Sequence, residues 1–468
     1  MNADRYSHDG GPRPRGRWSA PVADGPLRAA LAVPGSKSLT NRELILAALA
    51  EGPSILSAPL HSDDSARMIE ALQALGVGIE RLEGSGHFGD DLEVTPVWPL
   101  RGGTEIDCGQ AGTVMRFVAG LAGFARGDVT LTAHESALHR PMGAMIKALR
   151  DVGVDIDDGG HWSLPFTVRG RGHTRGGEVT IDASASSQFV SGLLLAAPRF
   201  DVGLHLIHSG GRLPSQPHID MTIESLGHRG VHVERPAPGE WVVPAGPVRA
   251  KDIAIEPDLS NAAPFLAAAM IAGGTVSITG WPVHSTQPGA MLGDILSLMG
   301  ARVSRRGGAM IVTGGAGITG VDLDLSAAGE LTPTIFALAA FADAPTTLYG
   351  IGHIRGHETD RIAALIGELR GLGGEAHELE DGIRIVPRPL HGGTWHAHGD
   401  HRMATTGALL GLAVPGVEID DIGTTAKTLP EFPELWLGLV EGAHDTGHAD
   451  AAGTASRSSA AHAEEAPA

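Results

Sequence analysis

The sequence predicts an α/β protein assembled from six repeated units, each with a buried helix inside and a sheet outside. Two patterns recur along the 468 residues with one common period, and both combine strand-like runs with helices. Glycine is abundant at 66 residues, whereas aromatic residues make up only 4% of the chain. Helices that pack closely need small side chains, so this composition agrees with the repeated units.

The first pattern is a short strand-like run, a turn of small polar residues and a very apolar helix. The anchor residues of its six copies follow one another at steps of 75, 74, 73, 72 and 70 residues. Because these helices are apolar nearly all round, we expect them to be fully buried. The copies span residues 34–50, 108–123, 183–198, 256–270, 327–342 and 398–413.

The second pattern is an amphipathic helix that ends in glycine and leads into a strand, and it recurs with the same period. Glycine suits the left-handed residue that closes many helices. Most copies precede a glycine-rich turn between two alternating runs, which indicates a β-hairpin. Each unit is therefore predicted as strand–helix–strand–helix–strand–strand, and the sixth is cut short after its second helix, near 432–440.

Composition and charge exclude several classes of protein. The chain has 35 Lys and Arg against 54 Asp and Glu, a net charge of −19, whereas a nucleic-acid-binding protein needs a basic face. The single cysteine, Cys108, cannot form an internal disulfide or a multi-thiolate metal site. The N-terminus lacks the apolar segment of a signal peptide, and no apolar run approaches the ~18 residues of a membrane span. We expect a soluble cytoplasmic protein with disordered, polar tails at 1–22 and 443–468.

Reactive side chains concentrate at the strand-to-helix turns of the units. Helix N-termini offer free N–H groups and a partial positive charge, which suit anions. Five or six cations on this edge of an acidic protein predict a focused positive site for substrates that carry phosphate or carboxylate groups. Taken singly, each residue also has an ordinary structural explanation, such as a serine that caps a helix. No phosphate loop, dinucleotide fingerprint or complete metal-ligand set accompanies them.

Seven short motifs, in order along residues 23–442, together resemble one family. They are PGSKSLTNR (34–42), QAGTVMR (110–116), HRPM (139–142), SSQF (186–189), HETDR (357–361), GDHRMA (399–404) and AKTLPEF (426–432). The set resembles the 5-enolpyruvylshikimate-3-phosphate synthases, which are 3-phosphoshikimate 1-carboxyvinyltransferases of the enolpyruvyl transferase family.

The resemblance implies a fold and a domain organisation. The family fold has two globular domains, each with three βαβαββ repeats (an inverse α/β barrel), joined by a two-stranded hinge. Domain 1 would combine residues 23–35 with 255–442, and domain 2 would span 36–254. Helix N-termini of both domains would point into the cleft between them.

The resemblance also implies a reaction in the shikimate pathway of aromatic amino-acid and chorismate biosynthesis. The enolpyruvyl group of phosphoenolpyruvate moves to the 5-hydroxyl of shikimate 3-phosphate, and phosphate leaves. The reaction proceeds by addition and elimination through a tetrahedral intermediate. The expected partners are these two small anions, without a metal, an organic cofactor, nucleic acid or a membrane, and a monomer is expected.

Roles for individual residues follow from the same resemblance. Glu330 is expected to accept the 5-hydroxyl proton, and Glu358 to transfer a proton at the methylene carbon, with Lys37 or His401 assisting. The expected contacts of shikimate 3-phosphate are Lys37, Ser38, Arg42, Ser186, Ser187, Gln188, Ser215, Glu330, His353 and His357. Those of phosphoenolpyruvate are Lys37, Gly112, Arg140, Gln188, Arg361, Arg402 and Lys427.

The chain departs from the commonest family pattern at several positions. Glu330 replaces the usual Asp, His353 the usual Asn and His357 the usual Lys, so one phosphate contact is expected to depend on pH. Phe117 stands where Pro is common. Gly112 leaves room in the phosphoenolpyruvate pocket and predicts inhibition by the analogue glyphosate.

Three alternatives stay open at this stage. A UDP-N-acetylglucosamine enolpyruvyl transferase shares the fold and the donor, but typically carries a cysteine on a mobile loop near the cleft. A binding module without chemistry would not place Glu330 and Glu358 among cations. A regulatory relative without activity is disfavoured because Lys37, Arg140 and the other cations are intact.

Overall fold

The computed structural model describes residues 16–84 and 86–442, and across them the chain forms 23 strands in six sheets together with 12 α-helices. Residues 1–15 and 443–468 of the predicted tails lie outside the described residues. Within the described part, no helix combines the length and apolar character needed to cross a membrane.

Three sheets come from the middle of the chain. The first has the order β14-β3-β5-β4, the second β6-β8-β10-β9 with β7 also paired to β8, and the third β11-β12-β13. Their strands are β3 (Ser54–Ser57), β4 (Gly78–Leu82), β5 (Asp91–Thr95), β6 (Leu100–Arg101), β7 (Thr104–Asp107), β8 (Ala125–Thr132), β9 (Ile156–Asp157), β10 (Phe166–Arg171), β11 (Gly177–Ile181), β12 (Leu204–His208), β13 (Glu240–Val243) and β14 (Ile253–Ala254).

The other three sheets combine the N-terminal strands with the C-terminal part. Their orders are β16-β17-β15-β2, β18-β19-β21-β20 and β1-β23-β22. Their strands are β1 (Trp18–Ser19), β2 (Leu27–Leu31), β15 (Gly274–Ile278), β16 (Arg302–Arg306), β17 (Ala309–Gly314), β18 (Asp322–Asp324), β19 (Thr346–Tyr349), β20 (Glu375–Leu379), β21 (Gly382–Val386), β22 (Gly393–Trp395) and β23 (Val417–Ile419).

All six sheets share one plan, which confirms the repeated α/β unit. In each sheet a parallel pair is extended by an antiparallel strand; for example, β18 pairs parallel with β19, and β19 pairs antiparallel with β21. Two strands connect the N-terminal, middle and C-terminal parts of the chain. The N-terminal strand β2 pairs with β15 of the C-terminal part, and β14, at the end of the middle part, pairs with β3 near its start.

The helices fall into the two predicted classes. The first helix of each unit is almost entirely buried: α1 (Lys37–Ala48), α3 (Gly112–Ala122), α5 (Gln188–Ala196), α7 (Ala263–Ala272), α9 (Thr332–Ala339) and α11 (His401–Gly411). Most of these helices are strongly apolar, as expected for buried helices, whereas α1 differs from the prediction because it also buries Asn41, Arg42 and Glu43. The second helices bury one face: α2 (Asp63–Ala74), α4 (Gly143–Asp151), α6 (Gln216–His228), α8 (Leu292–Leu298), α10 (Arg361–Gly371) and α12 (Phe432–Glu441).

Small residues allow the buried helices to touch. A Cβ added at Gly192 of α5 would lie 2.8 Å from the carbonyl oxygen of Arg116 in α3, closer than real Cβ contacts. A Cβ at Gly120 of α3 would lie 3.2 Å from the Cβ of Ala196. Glycine at these two positions therefore allows the helices to pack closely, which accounts for part of the high glycine content.

Buried apolar side chains form two clusters. The first core draws on residues 20–33 and 259–439, and the second core on residues 44–248. The predicted domain boundaries at 35/36 and 254/255 stay a prediction, and both lie between the ranges of the two cores. The structure differs from the predicted tail at 1–22, because Trp18–Ser19 pairs with β23 and supplies the sixth sheet with an antiparallel strand.

Candidate active site

A cleft with about 1170 Å³ of open space lies between the two cores and collects the helix starts of both. Most of the residues predicted for the site line it. These are Lys37, Ser38, Gly112, Arg140, Ser186, Ser187, Gln188, Ser215, Glu330, His353, His357, Glu358, Arg361, His401 and Arg402. Residues that are hundreds of positions apart in sequence thus meet in one place.

Side-chain caps fix where several of the helices begin. Ser36 accepts a hydrogen bond from the backbone N–H of Leu39 at the start of α1. Asp360 accepts from two backbone N–H groups at the start of α10, and Asp400 accepts from the N–H of Arg402 at the start of α11. The first residues of these three helices, Lys37, Arg361 and His401, line the cleft.

Two lysines from opposite sides of the cleft share one carboxylate. The Lys37 ammonium lies 3.3 Å from Asp64, and the Lys427 ammonium lies 3.5 Å from the same carboxylate. Lys427 also donates to the carbonyl oxygen of Gln110 at 2.7 Å. Because Lys427 lies within the range of the first core, and Gln110 and Asp64 lie within that of the second, these contacts bridge the two sides of the cleft.

Glu358 lies among three cations. Its carboxylate is 2.6 Å from Arg361, 3.5 Å from Lys427 and 3.9 Å from Arg140. Burial raises the pKa of a carboxyl, but these cations together hold the pKa of Glu358 well below its usual range. Glu358 is therefore ionised, with three cations around its carboxylate.

Arg361 is anchored by a second carboxylate that faces away from solvent. Its Nε donates to Asp400 at 2.7 Å and its Nη2 to the other oxygen of Asp400 at 3.1 Å. Burial lowers the pKa of a guanidinium, but Asp400 and Glu358 outweigh that effect and raise the pKa of Arg361 above its ordinary value. The two-point contact fixes the plane of the guanidinium.

Glu330 precedes α9 and faces the second core. The hydroxyl of Ser260 donates to one carboxylate oxygen, and Nε2 of His218 lies 3.3 Å from the other. Burial raises the pKa of Glu330, but His218, Arg402 and Ser260 hold it well below its usual range. A carboxylate that is ionised and oriented in this way can accept a proton from a hydroxyl group placed in the cleft.

Burial lowers the pKa of three histidines of the cleft, which favours their neutral form. Burial lowers the pKa of His353 to about 4, and burial together with Arg361 lowers the pKa of His357 well below its usual value. His357 accepts a hydrogen bond at Nδ1 from Arg361 at 2.9 Å. Burial also lowers the pKa of His401, and neither of its ring nitrogens has a hydrogen-bond partner among the described residues.

Two predicted residues lie behind the cleft surface. Arg42 is 1% exposed and donates to Thr222, Ser191 and two carbonyl oxygens, while burial lowers the pKa of Arg42 to about 9. It supports the starts of α1 and α6 from behind. Lys427 is buried but reaches the cleft carboxylates through its ammonium group.

The sequence reasoning missed several site residues. His218 follows the predicted Ser215 by three positions, and Asp400 directly precedes His401 in the GDHRM motif, so both had a nearby signal. Asp64, in the first turn of α2, and Asp258, shortly before α7, had no signal beyond these positions. Asp258 accepts from the backbone N–H of Lys37 at 3.1 Å, and burial raises its pKa.

Neither a metal cluster nor an accessible thiol occurs in the described part of the chain. Across residues 16–84 and 86–442, no group of three or more His, Cys, Asp or Glu side chains is arranged to hold a metal ion. Cys108 is fully buried, and burial raises the pKa of its thiol to about 12.

Comparison with known proteins points to one family. The EPSP synthase (3-phosphoshikimate 1-carboxyvinyltransferase) family profile matches residues 22–436. A curated 3-phosphoshikimate 1-carboxyvinyltransferase from Kocuria rhizophila is 54% identical over 428 residues, which cover 90% of this chain and 96% of the relative.

Solved structures agree with this result. An EPSP synthase from Acinetobacter baumannii matches with a TM-score of 0.75 and 25% identity over 91% of this chain and 98% of its own. The enolpyruvyl transferase NikO from Streptomyces tendae, at 19% identity and a TM-score of 0.72, covers 91% of this chain and 98% of its own and shows the shared fold alone. With a family profile over nearly its whole length and a relative that is 54% identical, the chain belongs to the EPSP synthase (3-phosphoshikimate 1-carboxyvinyltransferase) family.

Proposed function

We propose that this protein transfers the enolpyruvyl group of phosphoenolpyruvate to the 5-hydroxyl of shikimate 3-phosphate and releases phosphate. The observation that carries the proposal is the division of charge in the cleft. Arg140, Arg361 and Lys427 surround Glu358, and Glu330 lies beside His218. The cleft thus holds cations that suit the anionic phosphoenolpyruvate, and a carboxylate that suits the hydroxyl group of shikimate 3-phosphate.

Shikimate 3-phosphate is proposed to bind against the helix starts of the second core. The N-termini of α1, α5 and α6 bring together Lys37, Ser38, Ser186, Ser187 and Ser215. Their hydroxyl groups and free N–H groups suit a phosphate. On the other wall, Glu330, His353 and His357 face the ring hydroxyls and the phosphate, and His357 acts as a neutral donor through Nε2. Arg42 acts from behind through Ser38.

Phosphoenolpyruvate is proposed to bind Lys37, Arg140, Arg361, Arg402 and Lys427 beside Gly112 and Gln188. Glu330 accepts the 5-hydroxyl proton while the hydroxyl oxygen attacks C2 of phosphoenolpyruvate, and the methylene carbon gains a proton. Loss of a methyl proton and of phosphate then restores the double bond. Because phosphoenolpyruvate brings negative charge onto the cations that hold Glu358 ionised, the pKa of Glu358 rises on binding, and the group becomes able to deliver the methylene proton, with Lys37 or His401 assisting.

The finer statements about partners and location are also proposals. We propose a cytoplasmic monomer that needs no metal, organic cofactor or nucleic acid, with domain 1 formed by 23–35 plus 255–442 and domain 2 by 36–254. The two cores and the strand exchange of β2 and β14 support this division. The alternative acceptor, UDP-N-acetylglucosamine, is disfavoured because Cys108, the one cysteine of the sequence, is buried in the second core.

Phosphate release tests the proposal directly. The protein is mixed with phosphoenolpyruvate and either shikimate 3-phosphate or UDP-N-acetylglucosamine, and phosphate is measured. Release only with shikimate 3-phosphate is expected, and release only with the sugar nucleotide would reverse the assignment. Glu330→Ala should lose turnover at least about 100-fold while its melting temperature stays near that of the wild type; activity within a few-fold would show that Glu330 is not the base.

A further inference from the structure

His218 and Glu330 meet across the cleft although they belong to different parts of the fold. His218 lies in the first turn of α6, next to Ile219 of the second core, whereas Glu330 lies next to Leu331 of the first core. Nε2 of His218 is 3.3 Å from Glu330. The two side chains are 17% and 18% exposed, so both are largely removed from water and still reach the cleft.

The Glu330 carboxylate is held by one side-chain donor on each oxygen. Ser260, from the same side of the cleft, donates to Oε1, and His218, from the opposite side, faces Oε2. A carboxylate oxygen can only accept, so a hydrogen bond across this 3.3 Å distance requires the hydrogen on Nε2 of His218. Ser260 alone leaves the carboxylate free to turn about its last bond; the second contact fixes its plane and directs the remaining lone pairs into the cleft.

We propose that His218 is a positioning residue for Glu330, and that its N–H completes the base only when the cleft is closed. The inference rests on the proposed function, since it assigns a partner to the proposed proton acceptor. It links two events: closing over the substrates and orienting the group that takes the hydroxyl proton. An open cleft would separate the two residues and leave Glu330 with Ser260 as its remaining side-chain donor.

The role requires a donor at the Nε2 position, which gives a conservative test. Glutamine places an N–H at a similar distance from the backbone, whereas phenylalanine keeps the ring without the donor. His228, at the exposed C-terminal end of the same helix, serves as a matched control, about 15 Å along the axis from His218. Circular dichroism and a melting curve check the fold of each variant.

Steady-state phosphate release is measured for H218F, H218Q and H228Q in the full chain. Loss of a hydrogen bond to a charged group predicts that H218F lowers kcat about 10- to 100-fold, with a change in the KM for shikimate 3-phosphate below about threefold. H218Q should recover most of kcat, and H228Q should match the wild type.

A double-mutant cycle with Glu330→Ala separates positioning from direct binding. If His218 acts through Glu330, H218F should cost less than about twofold in the Glu330→Ala background. The pH profile gives a second readout: without the His218 contact, the acid limb of kcat should move to higher pH. The charged and titratable groups that also face the pair are Arg42, Asp258, His353, Arg361 and Arg402.

Each outcome decides the matter. An H218F variant within threefold of wild type, an undiminished effect in the Glu330→Ala background, or a loss confined to the KM for shikimate 3-phosphate would overturn the inference. If H218F does not fold, H218Q and its pH profile still decide, because an inactive folded H218Q contradicts a donor role. Absence of phosphate release by the wild type would overturn the proposed function and this inference together.

Discussion

Replacing Asp400 with asparagine is expected to destabilise the first core while helix α11 stays capped. Asp400 is fully buried and receives two hydrogen bonds from Arg361, at 2.7 and 3.1 Å, and one from the backbone N–H of Arg402 at 2.9 Å. Asparagine is a good N-cap, so the bond from Arg402 survives. Its amide offers one acceptor and no charge to Arg361, so the substitution isolates the ion pair.

The magnitude follows from these contacts. Removing one partner of a buried ion pair costs about 3–5 kcal/mol, and two hydrogen bonds to a charged group, at about 1.5–3 kcal/mol each, give a similar sum. Asparagine keeps one of the two bonds, and Glu358 still lies 2.6 Å from Arg361, so we expect a loss of about 3 kcal/mol. In a folding unit of roughly 200 residues this lowers the melting temperature by about 6–12 °C.

Differential scanning calorimetry at pH 7 measures the effect. Asp421→Asn is the matched control, because Asp421 also caps a helical turn, through the N–H of Gly423, but is exposed and has no charged partner in the described structure. The control should shift the melting temperature by less than about 2 °C. If Asp400→Asn melts within that same margin of the wild type, the reasoning from the buried pair is wrong.

Three further predictions test the cleft and the core. A Cβ at Gly112 would lie 3.0 Å from a terminal nitrogen of Arg116 and 3.1 Å from the amide oxygen of Gln188; Gly112→Ala should therefore raise the KM for phosphoenolpyruvate about tenfold and weaken inhibition by glyphosate, and equal inhibition of the two proteins would contradict this account of the pocket. Burial raises the pKa of Glu431 to about 7. Because this folded-state pKa lies above the unfolded value, the stability that depends on the protonated carboxyl is complete below about pH 4.5 and is lost as the pH rises through 7. Glu431→Gln should thus raise the free energy of unfolding at pH 8 by on the order of 3 kcal/mol and change little at pH 4; an equal gain at both pH values would exclude titration as the cause. The Cys108 thiol, buried and with its pKa raised to about 12, should react with a thiol reagent only after unfolding, and rapid labelling of the native protein would contradict its placement.

Most of the fold could be predicted because it follows from local patterns that repeat. The six buried helices and the amphipathic helices between them could be recognised from periodicity, since a strongly apolar helix is stable only when it is buried. The exceptions involve strands that pair far along the chain. Strand β1 joins β23, some 400 positions away, and no local signal in Trp18–Ser19 announces such a partner.

The sequence by itself determined which side chains gather at the helix starts, because strand-to-helix turns of one repeated unit must lie on the same edge of its sheet. Tertiary structure alone decided which charges face each other once two such edges close together. In the tertiary structure, the Glu358 carboxylate lies among three cations, from Arg361, Lys427 and Arg140. Arg42 is buried, and His218 contacts Glu330. Contacts between residues hundreds of positions apart depend on how the two halves pack, and a periodic pattern carries no information about that packing.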